Sequence, residues 1–96
     1  MKTREEITRI LKESIPHLQK EFKVKDIGIF GSFIHDEASE KSDVDLLVEF
    51  SGTIGWEFID LKDFLEDAIG LKVDLVTKKA LKPQLRKAIL KEVVYV

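Results

Sequence analysis

Asp43 and Asp45, separated by one residue, carry the side chains best suited to chemistry in this chain. They open an apolar stretch that runs to Phe50 and predicts a strand, on which side chains two residues apart share a face. A lone Asp-x-Asp is more often simply solvated at a strand start. Here the other face of the strand is unbroken apolar, so the strand is expected to be central. Acidic residues on a central strand cost stability unless something binds them or they lie at an open end. Paired carboxylates suit hard divalent cations such as Mg²⁺.

Ten residues separate the pair Gly31-Ser32 from Asp43. A Gly-Ser pair on its own usually marks a plain turn at a strand end. In a binding site, Gly31 would allow close backbone approach, and Ser32 would offer its N–H and hydroxyl to a β- or γ-phosphate. The spacing to the two aspartates favours this second interpretation. The segment therefore predicts a site for a metal–nucleotide complex.

Asp74 is a third candidate ligand, because it lies between Val73 and Leu75 in a predicted strand. A carboxylate inside a short apolar strand is poorly explained by packing alone. If its strand neighbours that of Asp43 and Asp45, three carboxylates could hold two cations. Such a two-metal clamp serves in-line displacement at phosphorus.

The elements that position these residues follow from hydrophobic periodicity. Thr3 and Glu6 have capping-box spacing and predict a first helix from about Arg4, which Pro16 is expected to kink or interrupt. A helical stripe beginning at Trp56, interpreted as a core anchor, is expected to end at Gly70. The predicted strands are at about 26–30, 43–50 and 72–77.

A last helix is predicted from Pro83, with Leu85, Ala88 and Ile89 facing inward. The apolar tail after it is expected to pack as a short extension. Helices and strands thus alternate along the chain, which predicts an α+β fold with a small sheet and helices packed on it. Residues 1–96 are expected to form a single domain.

Composition excludes several classes of protein. The 96 residues carry a net charge of -2, so there is no electrostatic case for binding long nucleic acid. No apolar run reaches the roughly 18 residues of a membrane span, and the charged N-terminus lacks the apolar core of a signal peptide. Without cysteine there is no disulfide framework and no thiolate site. We expect a cytoplasmic protein.

Gly-Ser, ten residues and then Asp-x-Asp resembles the signature of the DNA polymerase β-type nucleotidyltransferase superfamily. The short length, the segments SDVDLLVEF and VDLVT and the closing LKPQLRKAIL are similar to the minimal nucleotidyltransferases, the MntA-like antitoxins. The likeness covers nearly the whole chain. It implies a mixed sheet that carries the site.

The resemblance also assigns roles. Asp43 and Asp45 would hold two Mg²⁺ ions, Asp74 would complete one metal site, and Gly31 and Ser32 would hold the triphosphate of ATP. The reaction would move AMP to a hydroxyl of a partner protein, in this branch a tyrosine of a HEPN-domain toxin. Such a chain is the antitoxin of a toxin–antitoxin pair.

One departure from the family pattern and two alternatives bear on these expectations. Many members carry Arg-Gly where this chain has His35-Asp36, which removes a positive charge from the triphosphate side and adds a negative one. That exchange gives some support to a non-catalytic antitoxin that acts by binding. A small-molecule-modifying enzyme ranks last, because a chain this short has no room for an acceptor pocket. The acceptor surface must then come from a partner or from a second copy in a homo-oligomer.

Overall fold

The computed structural model describes residues 2–35, 37–39 and 42–96. These residues form one four-stranded sheet with helices packed on it, which confirms the α+β prediction. The helices are α1 (Arg4–Phe22), α2 (Glu57–Ile69) and α3 (Pro83–Glu92), and the strands are β1 (Val24–Phe30), β2 (Val44–Phe50), β3 (Val73–Thr77) and β4 (Val94–Tyr95). No helix in the described ranges is long and apolar enough to cross a bilayer.

The sheet is mixed, as the family resemblance implied. Its strand order is β3-β2-β1-β4. The β1 strand runs antiparallel to both β2 and β4, whereas β2 and β3 are parallel and joined by a crossover through α2. Because β2 and β3 start at the same end of the sheet, where β1 finishes, the first residues of two strands meet the last residues of a third.

The two faces of β2 have different surroundings. Val44, Leu46 and Val48 are fully buried in the main core beneath the first two helices. On the other face, Asp45 and Glu49 are only partly buried and flank Leu47, which is 1% exposed. This alternation fixes the register of β2, since a one-residue slip would move the aspartate into the core.

The first helix begins at Arg4, as predicted, with the Thr3 side chain accepting a hydrogen bond from the Glu6 backbone N–H at 3.2 Å. The prediction that Pro16 would interrupt it is wrong, because α1 runs unbroken to Phe22. Pro16 and Lys12 are both exposed. The Lys12 carbonyl loses its helical partner to the proline, and at this exposed position of the helix water can satisfy it.

Two predictions about inward-facing side chains are wrong. Trp56 is 84% exposed, immediately before α2 begins, so it is not a core anchor. In α3, Leu85 is 53% exposed and Ala88 is also exposed, whereas Ile89 is partly covered. No residue of α3 is buried, which leaves this helix the most loosely packed of the three.

Gly28 is the point at which the chain's end joins the sheet. It pairs with Tyr95 of β4, which confirms that the apolar tail packs as an extension. A Cβ added at Gly28 would lie 2.7 Å from Val93 Cγ2 and 3.0 Å from the Val94 carbonyl oxygen. The close approach of β4 to β1 therefore requires a residue without a side chain.

We expect Gly28→Ala to lower the free energy of unfolding by about 1–3 kcal/mol, because the methyl group would push β4 away from β1. Gly52→Ala is the matched control, since its Cβ would meet nothing closer than Lys23 Cδ at 3.9 Å. That control should stay within about 0.5 kcal/mol of the parent. Urea unfolding of the three proteins measures both effects, and equal stability of the two variants would contradict the packing at Gly28.

Candidate active site

Asp45 and Asp74 lie side by side on neighbouring strands. Each is the second residue of its strand, and the parallel register pairs them directly. On the other side, Asp45 pairs with Phe30, the last residue of β1. The structure thus places the two carboxylates on directly paired residues of neighbouring strands, as the sequence suggested.

The surroundings of Asp45 disfavour its charge. Its pKa is raised from 3.8 to about 6, first by burial and then by the charges of Asp74 and Asp43. The hydrogen bond with Asp74 and the charge of Glu92 act in the same direction. Both desolvation and like charges favour the protonated carboxyl. The site therefore concentrates negative charge that a cation would stabilise.

Asp43 stands just before β2 and is exposed, although it is close enough for its charge to act on Asp45. Within the described ranges, no three acidic or histidine side chains meet closely enough to form a ready-made metal site. The donor chemistry nevertheless fits a hard cation, because Asp45 and Asp74 are carboxylates on paired residues whose repulsion such an ion would relieve.

Gly31 makes the closest approach to this acid pair. Its φ is +78°, in the left-handed region, and a Cβ there would lie 2.0 Å from Asp45 Oδ2. Any other residue would meet both backbone strain and the Asp45 carboxylate. The sequence predicted that Gly31 permits close approach, and in this structure the approaching group is the side chain of Asp45.

Ser32 follows in a short 3₁₀ turn, Gly31–Phe33, which Phe33 anchors in the core. The carbonyl oxygen of Gly31 accepts hydrogen bonds from the backbone N–H groups of Ile34 and His35, and that of Ser32 accepts one from Glu37. The turn therefore holds Ser32 beside Gly31 at the end of β1. Of the His35-Asp36 step, His35 is described and exposed, whereas Asp36 lies outside the described residues.

Glu92, at the end of α3, is a site residue that sequence reasoning missed. Its Oε1 accepts a hydrogen bond from the Gly31 backbone N–H at 3.3 Å, and its Oε2 contacts His35 Nε2. The contact spans 61 residues, so no local pattern reveals it. One signal was available: Glu92 is the first acidic residue after Asp74 and ends a stretch, 75–91, that contains six Lys or Arg residues.

The sequence of this chain is similar to that of known proteins over most of its length. Residues 9–96 match the model of the nucleotidyltransferase domain family. The protein adenylyltransferase MntA of Thermococcus cleftensis is 47% identical over 97 residues, an alignment that covers 100% of this chain and 98% of the relative.

Solved structures show the same fold. One described as a minimal nucleotidyltransferase superposes with a TM-score of 0.77 and 36% identity, covering 93% of this chain and 92% of the other. The MNT antitoxin chain of a Shewanella oneidensis complex with a tri-AMPylated HEPN toxin superposes with a TM-score of 0.66 at 21% identity. That match covers 93% of this chain and 70% of the other.

We expect Gly31→Ala to destabilise the protein by about 1–3 kcal/mol more than Gly70→Ala does. Gly70 has nearly the same φ, +81°, but its Cβ would meet only Lys2 Cε at 3.9 Å, so it isolates backbone strain from the clash with Asp45. Urea unfolding measures this gap, which is the difference in free energy of unfolding between the two variants. It should shrink when both variants also carry Asp45→Ala. A gap that persists in that background would assign the cost to something other than the carboxylate.

The raised pKa of Asp45 makes a prediction about pH. The folded protein binds this proton more tightly than the unfolded chain, so the stabilisation is complete below pH 3.8 and is lost as pH rises through about 6. Asp45→Asn removes this loss. The free energy of unfolding of the variant, relative to that of the parent, should therefore rise by about 1 kcal/mol between pH 4 and pH 7, a value reduced for solvent screening. Urea unfolding of both proteins in EDTA measures this difference, and a difference that does not grow with pH would contradict the raised pKa of Asp45.

Proposed function

Because the chain belongs to the nucleotidyltransferase domain family, we propose that it transfers AMP from ATP to a hydroxyl of a partner protein. The observation that carries this proposal is the pairing of Asp45 with Asp74 directly beside Gly31. The full-length similarity to a protein adenylyltransferase at 47% identity supports AMP as the transferred group and a protein as the acceptor.

In the proposed site, Asp43 and Asp45 would hold two Mg²⁺ ions, and Asp74 would complete one of the metal sites. Bound Mg²⁺ would supply charge neutralisation at the reacting phosphate and lower the pKa of the acceptor hydroxyl. Gly31 and Ser32 bind the triphosphate of ATP, with the turn at the end of β1 fixing their backbone. The chain's own contribution is therefore positioning and electrostatics, which suit a reaction at phosphorus.

The acceptor comes from outside this chain. A cavity of about 280 Å³ lies where β2 and β3 end, lined by Val48–Phe50, Gly52–Ile54 and Thr77–Lys79, and none of the three aspartates borders it. The acids stand instead at the opposite ends of these strands, with Asp43 and Asp74 exposed. An open site of this kind suits the side chain of a docked protein.

We infer a HEPN-domain toxin as that partner, with a tyrosine as the acceptor, which makes the chain the antitoxin of a toxin–antitoxin pair. Support comes from the Shewanella oneidensis complex, in which a chain of the same fold accompanies an AMPylated HEPN toxin. We expect both proteins and the ATP they use to be in the cytoplasm. The alternative source of the acceptor surface is a second copy of this chain in a homo-oligomer.

The experiment uses the natural partner, recovered by affinity capture and incubated with ATP and Mg²⁺. Intact-mass spectrometry should show AMP increments on the partner with the native chain. The Asp43→Asn, Asp45→Asn double variant should reduce transfer by at least about a hundredfold while still forming the complex, since the carboxylates act on the transferred phosphate. Asp60→Asn, Asp63→Asn removes two exposed acids from α2 and should leave transfer intact.

The result also separates the enzyme from the alternative, a non-catalytic antitoxin. An unmodified partner that the native chain binds tightly and neutralises would overturn AMP transfer. Neutralisation that survives in the Asp43→Asn, Asp45→Asn variant would point to inhibition by binding alone.

A further inference from the structure

The Glu92 carboxylate is held by two groups beside the acid pair. Its Oε1 accepts the hydrogen bond of the Gly31 N–H at 3.3 Å, and its Oε2 contacts His35 Nε2. Gly31 is also the residue whose missing Cβ makes room for Asp45. An anionic oxygen group therefore already lies at the turn, next to the carboxylates.

Carboxylate and phosphate oxygens accept hydrogen bonds from the same donors, namely backbone N–H groups and imidazole nitrogen. In this structure the Glu92 carboxylate makes contacts with Gly31 and His35 that a phosphate group could make in its place. We propose that Glu92 is an internal occupant of the position that a nucleotide phosphate takes, with His35 as a phosphate-binding residue. This inference rests on the proposed function, because it presumes that ATP binds at Gly31.

The occupant is attached in a way that permits displacement. Glu92 is the last residue of α3, which contributes no buried residue, and its side chain is 23% exposed. The strand that follows, β4, pairs with β1 through only two residue pairs. Segments with few buried apolar contacts open at low free-energy cost while the core stays folded.

Two effects oppose nucleotide binding while Glu92 is in place. The Gly31 N–H and the His35 ring are occupied, so only the fraction of molecules with the end of α3 displaced can bind, and the apparent affinity falls by that fraction. The Glu92 charge also adds to those of Asp45, Asp43 and Asp74, which a triphosphate meets on arrival. Removing the carboxylate relieves both.

Calorimetric titration with ATP and Mg²⁺ tests the proposal on the full chain. Glu92→Gln should bind ATP about three- to tenfold more tightly than the parent. Glu37→Gln is the matched control, since it removes an exposed carboxylate two residues after His35, and it should stay within about twofold. Unchanged or weaker binding by Glu92→Gln would overturn the proposal and make Glu92 a structural residue or a ligand for the nucleotide complex.

The role of His35 has its own test. In the parent, His35→Ala removes a phosphate partner but also releases Glu92, so the two effects offset one another. In the Glu92→Gln background the release counts for less, because a neutral amide binds His35 more weakly than a carboxylate does, and His35→Ala should weaken ATP binding by about three- to tenfold more than in the parent. An equal effect in both backgrounds would overturn the assignment of His35, with circular dichroism confirming that each variant folds.

Failure of this inference is distinguishable from failure of the proposed function. AMP transfer by the native chain together with an unchanged ATP affinity in Glu92→Gln would remove only the inference. Tighter ATP binding in Glu92→Gln without any AMP transfer would support the inference and remove the function. Absence of ATP binding in the parent and in Glu92→Gln would overturn both.

Discussion

The apolar face of β2 is the constraint that holds Asp45 and Asp74 side by side on neighbouring strands. Two carboxylates in register on parallel strands repel one another, and partial burial adds to the cost of their charge. The opposite face holds them there, because Val44 and Leu46 are fully buried and cannot exchange places with an acid. Hydrophobic burial on one face thus fixes an electrostatically unfavourable pair on the other. Proteins retain such unfavourable arrangements mostly where a ligand relieves them.

The turn after β1 depends on the same pair. Gly31 fits against Asp45 only because it lacks a side chain, and its positive φ directs the chain into the 3₁₀ turn that carries Ser32. The backbone N–H of Gly31 then points toward the end of α3, where it donates a hydrogen bond to the Glu92 carboxylate. Three segments that are distant in sequence therefore meet at one point through a single glycine.

Local patterns in the sequence predicted the features that interactions between neighbouring residues determine, namely the strands and the faces of their side chains. Alternation placed Asp45 opposite the core face, and two short apolar runs predicted the strands that carry Asp45 and Asp74. Patterns failed where the outcome depends on packing at a distance. The helix tolerates the exposed Pro16 because water can satisfy the carbonyl that the proline frees. The apolar stripes that start at Trp56 and Leu85 do not reveal whether another element packs over those side chains, and both are exposed. Glu92 was missed because its role arises only when α3 crosses to the end of β1.

The position of β3 gives the acid pair a second consequence, for association between molecules. This strand lies at the outside of the sheet, and an outer strand offers backbone hydrogen-bonding groups to any chain that could add to it. A strand added there would strip water from Asp74 while Asp45 already stands on its other side. The desolvation of a carboxylate beside another carboxylate makes that addition unfavourable. The charge of the acid pair therefore also disfavours strand addition, and with it aggregation, at this open edge of the sheet.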